Sequence, residues 1–370
     1  MSVHELALQR NKYKHLSDEE WRWFLQQVEG RERTADKLPS FAAIENWWYP
    51  VRLSCEQCSS ELTARYKASL LPSLQGGVGG RLVDLTAGYG VDTYFLSEQF
   101  THTDYVEQNA ELCRIAEHNF TIHNSKITIH NTTAEEFLKT AGQYDLIFAD
   151  PARRDSHGGK VFRLEDCTPN VVELLPELLK HGKQLMFKLS PMLDITQAVN
   201  ALAGVSWDIH VVAVKNEVKE VLLLSGGNGT ITAIDLTEPE KAFVFTREEE
   251  RDATITYNLS PITYIYEPSA SILKAGAYKL VAQRFGLQKL DVNTHLYASG
   301  KFIENFPGRV WEIDESQESR VKSQANVLTR NYPLTPEQLK KKLHLRDGGT
   351  AFVIGCRVAG KPTIFYAERV

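Results

Sequence analysis

The sequence predicts an α/β protein whose central sheet has seven strands, is mainly parallel and closes with an antiparallel hairpin. Between residues 81 and 206, short apolar runs typical of buried strands alternate with helical segments. This order produces parallel strands joined by right-handed crossovers. The last two runs, at 207–214 and 220–226, are joined by a turn too short for a crossover, so we expect them to pair antiparallel.

Helical segments precede this block. Ser17 is followed by three acidic residues and then by apolar residues at helical spacing, which predicts a capped helix from residue 18. A second helix is expected at about 53–71, where large apolar residues recur roughly every four positions. Pro72 and the glycine-rich run 76–80 then end the segment.

Within the α/β block, each strand leads into a turn and a helix. Strands are expected at RLVDLTAG, TDYVEQN, KITIHN, YDLIFADP and KQLMFKLSP, and helices at about 91–99, 109–120, 134–141, 171–180 and 194–203.

Beyond residue 230 the pattern becomes mixed α+β. One unit consists of ITYIYE, a helix over 269–286, NTHLYAS and GRVWEI. A second consists of ANVLTRNYP, a helix that opens with the capping box of Thr335 and Gln338, and a terminal hairpin of TAFVIGCRV and KPTIFYAER.

Composition narrows the class of protein. The 370 residues include 42 Lys and Arg against 47 Asp and Glu, a net charge of −5 that argues against non-specific coating of nucleic acid. The start of the chain lacks the apolar core of a signal peptide, and no apolar run is long enough for a transmembrane helix. Five scattered cysteines suggest a reducing compartment. We therefore expect a cytoplasmic protein with no membrane partner.

The segment Asp84-Leu85-Thr86-Ala87-Gly88-Tyr89-Gly90 joins the first strand to the first helix. Its glycines allow a sharp turn and leave no Cβ to block a ligand. The following helix presents free N–H groups to an anion, and Asp84 is placed to accept from a ligand ammonium. A plain structural turn is the alternative interpretation.

Two further acidic positions end strands of the same block. Glu107 comes 19 residues after Gly88, where an acid can hold two ribose hydroxyls; a solvated strand end is the alternative. The motif Asp150-Pro151-Ala152-Arg153 follows the fourth strand. Ligands of open α/β sheets bind at the carboxyl ends of strands, so these acids mark a candidate site.

The block from about 78 to 228 resembles class I S-adenosylmethionine-dependent methyltransferases. In that family the glycine turn holds the methionine end of the cofactor, the acid after the second strand holds the ribose, and residues after the third strand meet adenine. The resemblance implies S-adenosylmethionine as cofactor, and no metal is required. The implied cofactor-binding residues are Asp84, Thr86, Ala87, Gly88, Gly90, Glu107, Gln108, Thr133, Ala134 and Asp150.

The motif after the fourth strand resembles the [DN]-P-P-[YFW] motif of amino-group methyltransferases. There the acid and a following carbonyl accept from the target amine, and the aromatic residue stacks on a flipped base. Asp150 and Pro151 match, whereas Ala152 and Arg153 depart from the pattern and remove the stacking ring. By this resemblance the four residues 150–153 are the catalytic candidates.

The missing ring leaves several candidates for contact with the substrate. Arg153 and Arg154 could stack on a base or hold a phosphate, or they could be surface arginines. Phe162 could replace the aromatic. Lys188 and Ser190, at the end of the fifth strand, face the same side as the acid and are further candidates.

Over nearly its full length the chain resembles a bacterial methyltransferase family with a C-terminal THUMP-like domain. The segments that carry the likeness are EQCSSELTARYKA (56–68), DPAR (150–153), KLSPMLD (188–194) and RNYPLTPEQLKKKLHLRDGG (330–349). The resemblance implies RNA, a tRNA or rRNA, as substrate. The expected domains are a helical domain at 1–75, the methyltransferase domain at 76–230, a ferredoxin-like α+β domain at 231–320 and a THUMP-like module at 321–370.

Alternatives remain open for function and for two local features. The acceptor could be an amine of a protein or small molecule, or the chain could be a non-catalytic RNA-binding protein with a methyltransferase fold. Cys55 and Cys58 have the spacing of half a zinc site, but no second pair of ligands follows, which favours packing. The basic run 340–346 fits either a solvated helix face or a contact with phosphates.

Overall fold

The structure is a computed structural model of the chain and describes residues 3–71, 80–122, 126–153, 163–257, 262–314 and 324–370. Most of the glycine-rich run 76–80, the expected first domain boundary, lies outside these ranges. The chain divides into two compact units, residues 1–207 with 222–226 and residues 208–221 with 227–370. None of the helices in the described ranges has the length and apolar character needed to cross a membrane.

The first unit begins with short helices: α1 (Val3–Ala7), α2 (Asp18–Thr34), α3 (Pro39–Ala42), α4 (Arg52–Gln57) and α5 (Glu61–Ser69). The predicted cap of α2 is present, since Ser17 Oγ accepts from the Glu20 N–H at 3.2 Å. The prediction of one helix over 53–71 is wrong. The backbone is extended at Cys58, and Ser60 starts the new helix α5 by accepting from the Thr63 N–H.

The rest of this unit is a parallel sheet with helical crossovers, so the α/β fold class is confirmed. Its strand order is β7-β4-β1-β2-β3, and each pairing within it is parallel. The strands are β1 (Arg81–Asp84), β2 (His102–Glu107), β3 (Ile127–Asn131), β4 (Tyr144–Ala149), the antiparallel pair β5 (Ala152–Arg153) and β6 (Cys167–Thr168), and β7 (Gly182–Leu189). The helices are α6 (Val91–Ser97), α7 (Ala110–Ile122), α8 (Ala134–Leu138), α9 (Val171–His181) and α10 (Ile195–Ala201).

An aromatic core joins the N-terminal helices to the glycine turn. Phe41 and Trp47 are buried in one cluster with Tyr89 and Phe95, and the rings of Phe41 and Phe95 stack at 5.9 Å. Trp47 Nε1 donates to the Tyr89 hydroxyl at 2.7 Å. Because Tyr89 lies between the two glycines of the turn, the helical region fixes the turn that follows β1.

The predicted hairpin follows, β8 (Trp207–Val214) and β9 (Glu217–Ser225), and the second unit begins within it, at residues 208–221. Lys215 and Asn216 form its turn with φ values of 52° and 60°, as two-residue hairpin turns require. The sequence assigned no element to 230–246, where β10 (Thr230–Asp235) pairs in parallel with β8 and β11 (Phe243–Thr246) pairs antiparallel with β10. The sheet that contains this hairpin therefore has two further strands, β10 and β11, beyond the boundary expected at residue 230.

A seven-stranded sheet forms the remainder of this unit, in the order β13-β14-β12-β15-β18-β17-β16. The strands are β12 (Tyr264–Pro268), β13 (Gln288–Asp291), β14 (Thr294–Ser299), β15 (Gly308–Ile313), β16 (Asn326–Arg330), β17 (Ala351–Val358) and β18 (Lys361–Arg369), and the helices are α11 (Arg247–Asp252), α12 (Ala270–Ala275), α13 (Leu280–Phe285) and α14 (Pro336–Lys342). The prediction of one helix over 269–286 is wrong, because Gly276 adopts φ 84° and ends α12 with a left-handed cap.

Candidate active site

A cavity of about 300 Å³ opens at the carboxyl ends of the strands of the first unit. This volume lies at the lower end of the range for small-molecule sites. Asp84 of β1, Glu107 of β2 and Lys188 of β7 bring the ends of three different strands to it. The sequence-predicted residues that line it are Asp84, Thr86, Ala87, Gly88, Gly90, Glu107, Gln108, Thr133, Ala134, Asp150, Ala152 and Lys188.

The glycine turn forms one wall of the cavity. Gly88 and Gly90 have φ values of 56° and 82°, a region that residues with a Cβ rarely adopt. At Gly90 space is also limiting, because a Cβ there would lie 2.6 Å from the ring of Phe120. At Gly88 a Cβ would meet no atom closer than 3.8 Å, so this side of the turn is open.

Asp84 is the most deeply buried acid of the cavity wall, with 1% exposure. Its Oδ1 accepts from the Thr86 N–H at 3.0 Å, and its Oδ2 accepts from Thr93 Oγ1 at 2.6 Å. Burial raises the pKa of Asp84 to about 7, against these two hydrogen bonds, which lower it. A cation placed beside Asp84 would favour the ionised form, so this wall suits a ligand ammonium.

Glu107 stands where the second strand ends, as predicted. Its Oε2 accepts from the Gly88 N–H at 3.0 Å and its Oε1 from the Asn109 N–H at 2.8 Å. These bonds fix the carboxylate against the glycine turn and leave further lone pairs for hydroxyl donors. The segment after β3 continues the wall, where Thr133 caps α8 by accepting from the Glu136 N–H at 3.3 Å.

Asp150 lies at the open side of the cavity. Its N–H donates to Thr86 Oγ1 at 2.6 Å, which ties the end of β4 to the glycine turn. Its carboxylate, whose side chain is 37% exposed, forms an ion pair with the ammonium of Lys188. The predicted substrate contact Lys188 is therefore a partner of the predicted catalytic acid.

The other predicted residues are less closely joined to the cavity. Pro151 is buried and does not line it, and Arg153 pairs through its backbone with Cys167. Ser190 is exposed beyond β7, where its Oγ accepts from the Met192 N–H at 3.2 Å. Arg154 and Phe162 lie outside the described residues.

The N-terminal helical region supplies a wall that the sequence interpretation missed. Its lining residues are Ser54, Gln57, Cys58 and Ser59, and Thr168 and Pro169 add a further edge beside Ala152. Ser59 Oγ donates to Asp92 Oδ2 at 2.7 Å. The segment 56–68 carried part of the family resemblance, but its sequence gave no side chain a role at the site.

Cys58 is a wall residue of this cavity. It ends α4, and burial raises the pKa of its thiol. Burial likewise raises the pKa of Cys55 to about 12, so both side chains are neutral thiols near neutral pH. Across the described ranges, no group of three His, Cys, Asp or Glu side chains is placed to hold a metal ion.

Two family models match the C-terminal part of the chain, a ferredoxin-like domain at residues 264–307 and a THUMP domain-like family at residues 308–369. No curated protein matches the sequence. A crystal structure from Porphyromonas gingivalis, of a protein classed as a methyltransferase, is similar with 34% identity and a TM-score of 0.85, covering 96% of this chain and 92% of that chain.

Two more distant structures are also similar. One is a 16S rRNA N2 methyltransferase of T. thermophilus in complex with AdoMet and guanosine, with 15% identity over 48% of this chain and 44% of that chain and a TM-score of 0.34. The other is a class I S-adenosylmethionine-dependent methyltransferase of Listeria monocytogenes, with 14% identity over 60% of this chain and 72% of that chain and a TM-score of 0.39.

The cofactor that the sequence resemblance implies is S-adenosylmethionine, and the residues that line the cavity fit it. The buried Asp84 suits its ammonium, the fixed carboxylate of Glu107 suits ribose hydroxyls, and the open face of Gly88 leaves room for a ligand. The P. gingivalis likeness spans nearly the whole of both chains. The chain, whose C-terminal part matches the THUMP domain-like family, therefore belongs to the same family as this P. gingivalis methyltransferase.

Proposed function

We propose that the protein transfers a methyl group from S-adenosylmethionine to an exocyclic amine of an RNA base. The observation that carries the proposal is the carboxylate of Asp150, which lies at the open side of the cavity lined by the glycine turn. An ionised carboxylate accepts hydrogen bonds only, so it can take the N–H of an amine and orient the nitrogen lone pair.

Each part of the cavity has a distinct role in this proposal. When bound, S-adenosylmethionine supplies an electrophilic methyl group. Asp84 would hold its ammonium and Glu107 its ribose, while the segment that begins at Thr133 would border its base. The residues proposed to complete this binding surface are Thr86, Ala87, Gly88, Gly90, Gln108 and Ala134.

The part of the cavity proposed to receive the methyl acceptor, which we call the acceptor side, is formed by Asp150, Ala152, Thr168 and Lys188. Lys188 pairs with the carboxylate of Asp150 and Thr86 accepts from the N–H of the same residue, so two contacts hold the acid in one orientation. Ala152 and Thr168 line the cavity next to it. Holding an amine in line with the methyl group accelerates transfer through proximity and orientation, so the acid needs only to position the nitrogen. The new N–C bond would form as the S–C bond of the sulfonium breaks, S-adenosylhomocysteine would leave with the electron pair, and the methylated nitrogen would release one proton to solvent.

The proposal of RNA as the acceptor rests on the THUMP-like domain. The exposed side chains of Lys341, Lys342 and Arg346 in that domain suit contacts with a phosphate backbone. Lys340 is engaged locally, since its ammonium lies 2.7 Å from Asp347.

A second candidate acceptor is an amine of a protein or small molecule. The observation that favours it is the polar character of the acceptor side: the aromatic residues among the described lining are Tyr89 and Phe148, both buried. A flipped base commonly stacks on an exposed ring. In this candidate Ser54, Gln57 and Ser59 would contact the acceptor instead.

The test is transfer of a labelled methyl group to separate pools of RNA, protein and metabolites, followed by mass spectrometry of the labelled nucleosides. Asp150→Asn should lose transfer by about 100-fold or more, while the calorimetric Kd for S-adenosylmethionine changes little. Asp145→Asn is the matched control, because Asp145 pairs with Lys183 at 2.7 Å on the same two strands, β4 and β7, away from the cavity.

Each outcome selects one interpretation. Label in the RNA pool that Asp150→Asn abolishes and Asp145→Asn preserves supports the proposal. Label confined to protein or metabolites selects the second candidate. Absence of S-adenosylmethionine binding by the wild-type protein would instead leave a non-catalytic RNA-binding protein. An Asp150→Asn variant with full activity refutes the role of the acid.

A further inference from the structure

Lys67 of α5 carries a fully buried ammonium group, with 0% of its side chain exposed. A buried charge is costly unless polar groups surround it. Lys67 Nζ lies 3.1 Å from Asp92 Oδ1 and donates to Ser59 Oγ at 3.5 Å. The N-terminal helical region thus places a cation directly beside the second residue of α6.

Asp92 links this cation to the acceptor side of the cavity. Its second oxygen, Oδ2, accepts from Ser59 Oγ at 2.7 Å and lies 3.5 Å from Lys188 Nζ. Lys188 in turn pairs with Asp150. The four charged groups form a row of alternating sign, Lys67, Asp92, Lys188 and Asp150, which we name the charge row.

The charges of this row depend on one another. Burial alone would raise the pKa of Asp92, but the ammonium groups of Lys67 and Lys188 hold it below its ordinary value, with Lys67 the stronger influence. Among the described residues, the thiol of Cys58 and the carboxyl group of Asp84 also interact electrostatically with members of the row. If Lys67 were neutral, Asp92 would draw the ammonium of Lys188 towards itself and away from Asp150.

We propose that Lys67 is a positioning residue for methyl transfer, which balances the charge of Asp92 so that Lys188 is left to hold Asp150 at the acceptor side. This inference rests on the proposed function, in which Asp150 receives the amine. It assigns the N-terminal helical region a part in the reaction, because both Lys67 and Ser59 belong to it. The ion pair with Asp92 gives the lysine a role at a fully buried position, where an apolar side chain would pack at lower cost.

The test compares Lys67→Met, Asp92→Asn and the double variant, with Arg65→Met as control. Arg65 lies on the same helix with a 51% exposed side chain. Lys67→Met keeps an unbranched side chain that is one atom shorter and leaves Lys188 as the ammonium beside Asp92. We expect kcat to fall about tenfold or more, with a Kd for S-adenosylmethionine within about threefold of wild type. The double variant removes both charges and should recover kcat to within about threefold of wild type.

A second measurement needs neither cofactor nor acceptor. The ε-methylene NMR signal of Lys188, assigned with Lys188→Met, should move in Lys67→Met and return towards its wild-type position in the double variant. Arg65→Met should leave both kcat and this signal unchanged. If the wild-type protein methylates no pool, the proposed function fails, and this signal still decides whether Lys67 controls Lys188.

Several results would overturn the inference. A double variant no more active than Lys67→Met shows that Lys67 acts through packing. An unmoved Lys188 signal in Lys67→Met shows that the charge row does not transmit the change. If Lys67→Met fails to fold, a folded double variant supports the charge balance, whereas two unfolded variants refute it.

Discussion

Replacing Asp84 by Asn should stabilise the protein at neutral and alkaline pH while weakening the binding of S-adenosylmethionine. Asp84 is buried and accepts from the Thr86 N–H and from Thr93 Oγ1. An Asn side chain has the same shape, keeps one acceptor oxygen and carries no charge. The variant therefore removes the cost of an ionised buried carboxylate without emptying its place in the turn.

The size of the effect follows from the pKa of this group. Burial raises the pKa of Asp84 from 3.8 to about 7. The folded state thus binds the proton more tightly than the unfolded state, and stability falls as pH rises between these two values. Roughly 3 pKa units correspond to at most about 4 kcal/mol, all of which is lost by a pH somewhat above 7.

Urea unfolding of the wild-type protein and Asp84→Asn measures this difference at a series of pH values. The free energy of unfolding of the variant should exceed that of the wild type by about 2–4 kcal/mol near pH 8, and the difference should shrink steadily below pH 7. Comparison at each pH cancels the titration of all other groups. A difference that does not vary between about pH 5 and pH 8 would refute the buried-acid argument.

Folding favours the protonated form of Asp84, whereas binding of the cofactor's ammonium should favour the ionised form. If the ionised form of Asp84 holds the ammonium, the affinity of the wild-type protein for S-adenosylmethionine, relative to that of Asp84→Asn, should fall about tenfold for each unit by which the pH is lowered below 7. Above that pH the ratio of the two affinities should level off. Calorimetry of both proteins checks this, and a constant ratio of the two Kd values would remove Asp84 from the binding site.

Three further substitutions, one of them a control, test the glycine turn and the second unit. Gly90→Ala should lower the free energy of unfolding by about 2–4 kcal/mol, since a Cβ there meets an aromatic ring at 2.6 Å and the backbone has φ 82°. Gly204→Ala, at φ 92° with no atom within 4 Å, should cost only about 1 kcal/mol, and equal losses in urea unfolding would contradict the clash. Glu267→Gln should cost about 1–3 kcal/mol, because this 2% exposed acid pairs with both Arg309 and Arg330. A loss below about 0.5 kcal/mol in the same assay would show that the two ion pairs contribute little.

The elements that the sequence predicted well are those whose signals are local. The cap of α2 needs only Ser17 and Glu20, and the hairpin of β8 and β9 needs only a two-residue turn. The two helices predicted as continuous were wrong because each is interrupted, in one case between Cys58, which ends α4, and Ser60, which starts α5, and in the other at Gly276. Apolar spacing alone does not show where a serine or glycine interrupts a helix.

The sequence by itself determined the α/β fold and one half of the candidate site. Asp84 and Glu107 each end a strand and Asp150 directly follows one. Parallel strands bring such ends to one edge of the sheet, so the meeting of these three acids follows from topology.

The tertiary structure alone decided the other half. Ser59 and Lys188 lie 129 positions apart, and Lys67 meets Asp92 only because the helical region packs on the glycine turn. No periodicity encodes such contacts: a buried lysine and an exposed one look the same in a sequence, and only packing decides which carboxylate each will face.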